Sequence, residues 1–248
     1  MAALLEVQNL SKAFGGVKAV AQVSFTVAAG ELLAMIGPNG AGKSTCFNML
    51  NGQLRPDEGS IRLKGRELLG RSPREVWRMG VGRTFQITAT FASMTVRENV
   101  QLALLSHHQQ LFRAWTPAAK AYVAEADALL ERVGMREQAE RPCSILAYGD
   151  LKRLELAIAL ANNPKLLLMD EPTAGMGPLE RIELMMLTVH LVREHGLAVL
   201  FTEHDMDVVF RHADRLMVLN RGVLIAQGEP EAVRADAQVQ RVYLGSRA

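Results

Sequence analysis

The sequence predicts an α/β fold: a mainly parallel sheet core around a phosphate loop, with an antiparallel β layer and an inserted helical subdomain. Three observations predict it. The stretch Gly37-Pro38-Asn39-Gly40-Ala41-Gly42-Lys43-Ser44-Thr45 carries the pattern G-x-x-x-x-G-K-[ST]. It lies between an apolar run at 31–36 and a helical pattern at 46–51, which is the strand–loop–helix context of a P-loop. Bare apolar runs at 165–169 and 197–201 alternate with helical segments, as buried parallel strands do. From Gln86 to about Gly149 the helix signals continue without a convincing strand.

The elements follow in order. Residues 4–10 read as a strand, 12–16 as a turn carrying Phe14, and alternating Val23, Phe25 and Val27 as a second strand with one apolar face. After the loop helix, Pro56-Asp57-Glu58-Gly59 turns into a short strand at 60–63. Ser72-Pro73-Arg74-Glu75 supplies a cap, a first-turn proline and an acid for a short helix to Met79. Gly82-Arg83-Thr84-Phe85 reads as a strand ending at Gln86. Thr95-Val96-Arg97-Glu98 is a capping box opening a helix to Leu105, and Thr116-Pro117 is expected to cap a long helix to Val133, closed by Gly134. Helices are expected at 151–161, 178–194 and 205–211, with strands at 215–220 and 223–227 joined by Arg221-Gly222. The strands at both ends of the chain are expected to form the antiparallel layer. The division is thus 1–86 and 155–248 for the nucleotide-binding core and 87–154 for the helical insert.

Composition narrows the function classes. A hydrophobic content of 49% and charged content of 22% are those of an ordinary globular chain. A net charge of +2 is too small to argue for nucleic acid. Cys46 and Cys143 lie far apart and offer neither a disulfide framework nor metal-ligand spacing, which fits a reducing compartment. The N-terminus lacks a basic region and reaches Glu6 at once, so no signal peptide is expected. No apolar run approaches the ~18–20 residues that span a bilayer. A membrane process would need another chain to supply the membrane.

The chemistry gathers at a few positions. In the glycine loop, backbone N–H groups and the positive end of the next helix face a phosphate chain. Lys43 would reach the β- and γ-phosphates, and the Ser44 hydroxyl would ligate Mg²⁺. The run at 166–169 ends in Asp170-Glu171, placing two acids at a strand's carboxyl end, where open α/β sheets bind ligands. Asp170 would hold Mg²⁺ directly or through water, and Glu171 would polarise the water attacking the γ-phosphate. His204 follows another buried strand and could hydrogen-bond the γ-phosphate and hold that water. Gln86, also at a strand end, is a candidate for completing the Mg²⁺ and water contacts. Blander readings suit other residues: His107-His108 as a solvated loop, Met185-Met186 as core, and Arg66, Arg71, Arg74 and Arg78 as a solvated basic face.

The order P-loop, Gln86, Leu146-Ala147-Tyr148-Gly149-Asp150, Asp170-Glu171, His204 resembles the nucleotide-binding subunit of an ATP-binding cassette (ABC) transporter over nearly the whole chain. The resemblance implies a RecA-like core that binds ATP with Mg²⁺. Phe14 would be the aromatic stacking on adenine, Gln86 the Q-loop, residues 146–150 the signature motif, and His204 the switch histidine. It also implies a head-to-tail dimer, with each ATP between the P-loop of one copy and the signature motif of the other. The other copy would be this chain or a related subunit. Integral-membrane permeases would be direct partners and a substrate-binding protein an indirect one. The protein would lie on the cytoplasmic face of the inner membrane.

Departures from the usual pattern narrow the resemblance. The signature usually reads Ser-Gly-Gly-Gln after the leucine; here Ala147 has no hydroxyl for a phosphate, leaving Gly149 and helix N–H groups to carry the contact. Gly177 stands near where the family usually has the D-loop aspartate. Gly82-Arg83-Thr84-Phe85-Gln86, Arg153-Leu154-Glu155-Leu156-Ala157, Glu171-Pro172-Thr173-Ala174-Gly175-Met176, Glu203-His204-Asp205-Met206 and Val242-Tyr243-Leu244-Gly245 resemble the ATPases of branched-chain amino acid importers. ATPases importing urea or small amides, and that of a lipopolysaccharide exporter, look similar. A DNA-repair or chromosome ATPase would need a long coiled coil between Gln86 and the signature, where about sixty residues lie without sustained heptads. A regulatory module without turnover would be expected to lose Glu171 or His204.

Overall fold

The computed structural model describes residues 3–84, 90–110 and 121–243. Gln86 lies outside the described residues, as do Phe85, the expected helix start at Thr116-Pro117, and Leu244-Gly245.

Two sheets sandwich the helix that follows the glycine loop. The first is antiparallel, in the order β2 (Val17–Ala28), β1 (Ala3–Phe14), β4 (Glu58–Leu63), β5 (Arg66–Glu67). The second runs β10 (Val223–Gly228), β9 (Arg215–Asn220), β3 (Leu32–Ile36), β8 (Ala198–Thr202), β7 (Leu166–Asp170), β6 (Val81–Thr84). Every pair in it is parallel except β10 on β9. The bare apolar runs become two-sided strands. Leu33, Met35, Leu166, Leu168, Ala198, Leu200, Met217 and Leu219 face α1 (Lys43–Leu50) and the first sheet. Their alternates, including Ile36, Leu167, Met169, Val199, Phe201 and Val218, face the helices of the other layer. This period of two is what burial on both faces of a parallel sheet requires.

The C-terminal strands differ from expectation. They do not join the antiparallel layer. Leu216-Met217-Val218-Leu219 is apolar on both faces, so β9 enters the core beside β3, and the half-polar β10 takes the edge. Among the described residues the separate sheet is made by β1, β2, β4 and β5. The expected turn at 12–16 also shrinks to Gly15-Gly16, because Lys12, Ala13 and Phe14 stay paired with Val20, Lys18 and Val17 past two register shifts.

The capping boxes form as read. The Ser72 hydroxyl accepts from Glu75 N–H at the start of α2 (Pro73–Arg78), and the Thr95 hydroxyl from Glu98 N–H at the start of α3 (Val96–His107). Described residues between 90 and 147 form α3, α4 (Val123–Arg132) and two 3₁₀ turns, with one isolated bridge, Thr95–Pro142, and no strand. Val96, Val100, Leu104, Ala126, Leu130, Val133 and Met135 are their packed interior. α5 (Tyr148–Leu160) runs from this lobe to the sheet, so the boundary drawn at 154/155 falls within one continuous helix. α6 (Pro178–His195), α7 (Met206–His212), α8 (Pro230–Ala235) and α9 (Ala237–Tyr243) complete the chain.

Three bland readings change. His107 is the last residue of α3 and meets Trp77 edge-on at 5.6 Å, and His108 stacks on Tyr122 at 4.5 Å. The pair therefore carries aromatic contacts and is not simply a solvated loop. Met185 is core, but Met186, one residue round the helix, is 61% exposed. Within the basic run, Arg71 pairs with Glu75, so part of that face is neutralised.

Candidate functional site: a phosphate loop facing two acids

The glycine loop leaves the carboxyl end of β3, the strand flanked by β8 and β9. Gly42 has φ +106°, and a Cβ there would stand 2.4 Å from the Ala19 carbonyl, so only glycine lets the loop pass under β2. Gly42 then caps α1, whose first residues are Lys43, Ser44 and Thr45. The N–H groups of such a first turn lack helical partners and aim at the loop. Lys43 is buried, and its ammonium donates to the Gly37 carbonyl at 2.7 Å and toward the Pro38 carbonyl at 3.4 Å. Burial pushes its pKa below the ordinary lysine value, against the pull of Glu171 and Asp170. That opposition places both acids within electrostatic reach of the loop.

The acids stand at the end of β7, next to β8. Asp170 Oδ1 accepts the Thr202 hydroxyl at 2.7 Å, and Oδ2 faces an Arg83 nitrogen at 3.5 Å. Glu171 has φ +49°, an uncommon value for a side chain of this kind, and such backbone concentrates at functional sites. Its N–H is held by the Thr202 hydroxyl at 3.0 Å and the Thr202 carbonyl at 3.2 Å. From there Glu171 Oε1 meets His204 Nε2 at 2.9 Å. His204 is placed in turn by Glu203, which is buried and accepts from Thr173 N–H, the Thr173 hydroxyl and His204 N–H. The structure thus brings Lys43, Asp170, Glu171 and His204 together at the carboxyl ends of three neighbouring strands.

The other predicted residues sit further out. Phe14 is half-exposed at the tip of the β1–β2 hairpin, with Lys12 Nζ 5.7 Å from its ring centre. Pro38, Asn39, Gly40 and Ala41 line a surface cavity with Asn220, Arg221 and Val242. The signature stretch begins α5 three residues earlier than expected: Ala147 is the N-cap and Tyr148, Gly149 and Asp150 are the first turn. Leu146 leads into it in extended backbone. A Cβ on Gly149 would stand 2.7 Å from Glu180 Oε1, so this glycine lets α5 pack against α6. Glu180 meanwhile accepts from Gly177 N–H at 2.9 Å. Tyr148 lies against Gly175, and Arg153 pairs with Glu183 at 2.7 Å, so α5 is fastened to the segment that follows Asp170 and Glu171.

Thr202, Glu203 and Arg83 were not singled out from sequence. Thr202 and Glu203 carried one usable signal: polar residues ending an apolar strand beside another such strand. Arg83, inside the short mixed strand β6, carried no such signal.

A glycine loop with a buried lysine, facing an acid–histidine pair across parallel strand ends, defines a P-loop ATPase. Comparison with known proteins narrows this. Residues 20–174 match the ABC transporter family, and residues 223–248 match the branched-chain amino acid ATP-binding cassette transporter family. The chain is 43% identical over 254 residues to the high-affinity branched-chain amino acid transport ATP-binding protein LivG of Salmonella typhimurium, covering 98% of each. It is 41% identical over 249 residues to BraF of Pseudomonas aeruginosa, a protein of the same description, again covering 98% of each. Among solved structures, the ADP conformation of an ATP-binding cassette of an ABC transporter superposes with a TM-score of 0.88 at 32% identity, covering 99% of this chain and 100% of the other. The chain belongs to the ABC transporter family, as one of its ATP-hydrolysing subunits. Among the described residues no helix is long and apolar enough to cross a membrane.

Proposed function

We propose that this chain is the ATPase of an importer of branched-chain or related hydrophobic amino acids. It works on the cytoplasmic face of the inner membrane against permease partners, with a substrate-binding protein delivering cargo to them. The cargo class is supported by identity to LivG and BraF over 98% of the chain and by the match at 223–248. The mechanism is supported chiefly by the Glu171–His204 contact beside the phosphate loop.

In this reading each residue has a role. Loop N–H groups and Lys43 hold the β- and γ-phosphates, Lys43 exchanging its bonds to Gly37 and Pro38 for phosphate oxygens. Glu171 takes the proton of the attacking water, and His204 fixes the carboxylate and donates toward the γ-phosphate. The donor set suits Mg²⁺: the Ser44 hydroxyl and the Asp170 carboxylate are hard oxygens, few enough to leave water on the ion. Bound there, Mg²⁺ would neutralise charge on the phosphates. Gln86, two residues beyond the end of β6 in the sequence, is assigned to the same set. Phe14 stacks on adenine.

Each site is completed by a second copy or a related subunit, whose Leu146, Ala147, Tyr148, Gly149 and Asp150 present the first turn of α5 to the γ-phosphate. Residues 1–86 and 155–248 act as the nucleotide-binding core and 87–154 as the helical subdomain that meets the permease. Co-expression with a permease pair of the branched-chain amino acid importer class, followed by ATP-driven uptake into vesicles, tests the reading. Leucine uptake is expected. Urea uptake with no leucine uptake would transfer the chain to the amide importers, and export of lipopolysaccharide to that class.

A further inference from the structure

We propose that Arg83 is a positioning residue for Asp170, tying the acid at the end of β7 to the helix of the phosphate loop. Arg83 lies on β6, in register with Leu168 of β7, two residues before Asp170. One guanidinium nitrogen stands 3.5 Å from Asp170 Oδ2; at that distance the link is a charge pair more than a directed hydrogen bond. The other nitrogen donates to Asn48 Oδ1 at 2.9 Å and Gln53 Oε1 at 3.0 Å. Asn48 lies on α1, the helix that begins with Lys43 and Ser44, and Gln53 just beyond it. The guanidinium carbon sits 6.0 Å over the ring of Phe47 of the same helix. Arg83 and Asp170 side chains are only 11% and 14% exposed, so water screens the pair little.

The geometry calls for arginine in particular. Its planar fork points one nitrogen at a carboxylate and another at two amide oxygens, a span that a single ammonium cannot cover. Asp170 is then held from both sides: Thr202 of β8 takes Oδ1 and Arg83 of β6 takes Oδ2. Groups that orient a metal-binding carboxylate usually matter to metal affinity by about 10–100-fold when removed. Because Arg83 also grips α1, it sets the distance between the acid and the helix that carries Ser44.

The inference rests on the reading of Asp170 as the acid that holds the divalent ion. The test uses Mn²⁺ as the probe, read by electron paramagnetic resonance in the presence of ATP, on the full chain. Arg83→Met is expected to weaken Mn²⁺ binding by about tenfold and to lower kcat and the melting temperature, while metal-free ATP affinity stays near that of the parent. Arg83→Lys should recover part of the loss, and in an Asp170→Asn background Arg83→Met should add nothing further. Parental Mn²⁺ affinity in Arg83→Met would overturn the inference. So would an equal loss of metal-free ATP binding, which would mark Arg83 as structural only. If Asp170→Asn itself leaves Mn²⁺ affinity unchanged, the reading of Asp170 falls, and the Arg83 inference with it.

Discussion

His204 Nε2 and Glu171 Oε1 meet at 2.9 Å, joining the segments that follow β8 and β7. The contact is made by a glutamate in left-handed backbone, held there by two bonds to Thr202. Removing the imidazole should therefore leave Glu171 in place but less well aimed. His204→Ala is expected to lower kcat by at least tenfold and to change ATP affinity little, in line with the ~10²–10⁴-fold scale of positioned acid–base groups. Steady-state kinetics with nucleotide binding measured in parallel checks it. A change confined to KM would mean that His204 contributes only to binding.

Lys43 offers a second prediction. Its ammonium donates to the loop's own carbonyls at 2.7 and 3.4 Å, so the loop is shaped around it. Lys43→Ala should weaken ATP binding by about tenfold to a hundredfold, the scale of a hydrogen bond to a charged group. Fluorescent-nucleotide titration reads this directly. Parental affinity in the variant would contradict the loop assignment.

The signature helix yields a third. Ala147 caps α5 without a side-chain bond, and the first-turn N–H groups are the phosphate donors in this account. Ala147→Ser should leave the ATPase rate within about twofold. A large rise would show that a hydroxyl is missing from the site.

Gly149 permits a test of packing. In a helix, Gly→Ala ordinarily gains about 1 kcal/mol. Here the new methyl would press on Glu180 Oε1 at 2.7 Å, and Glu180 is engaged with Gly177 N–H. The two effects should nearly cancel in the parent. In a Glu180→Ala background the obstacle is gone, and Gly149→Ala should stabilise by up to about 1 kcal/mol. Denaturant unfolding of the four proteins in this cycle gives the answer.

Cys46 lies in α1 just behind Thr45, fully buried, and burial raises its pKa from 9.0 to about 12. The folded protein should resist maleimide at pH 8 and react only on unfolding. Because the folded thiol keeps its proton, its contribution to stability is complete below pH 9 and is lost between pH 9 and 12 as the unfolded chain ionises. The loss is at most about 1.4 kcal/mol per pH unit. Cys46→Ala should flatten that part of the stability–pH curve.

Much of the core was legible because its strands are short apolar runs that end in chemistry. Asp170, Glu171 and His204 stood out for that reason, and the glycine loop because its pattern demands a strand before and a helix after. What was hidden depends on strand order. β3 lies between β8 and β9, elements more than 160 residues later in the chain, so the partners of Asp170 are residues of strands that sequence order does not place beside it. Thr202 looked like the tail of an apolar strand, and Arg83 stood in a strand motif with nothing to single out its side chain. β9 was misplaced because its pairing with β3 is long-range, and α5 was started late because Ala147 gives no capping signal.

The central claim is that Glu171 drives water onto a phosphate held by the loop. The measurement that tests it most directly is steady-state phosphate release by Glu171→Gln, with ATP binding followed in the same samples. The account predicts that ATP still binds, that release falls by at least about a hundredfold, and that the ATP-loaded variant accumulates as a closed dimer. Phosphate release at the parental rate would contradict it.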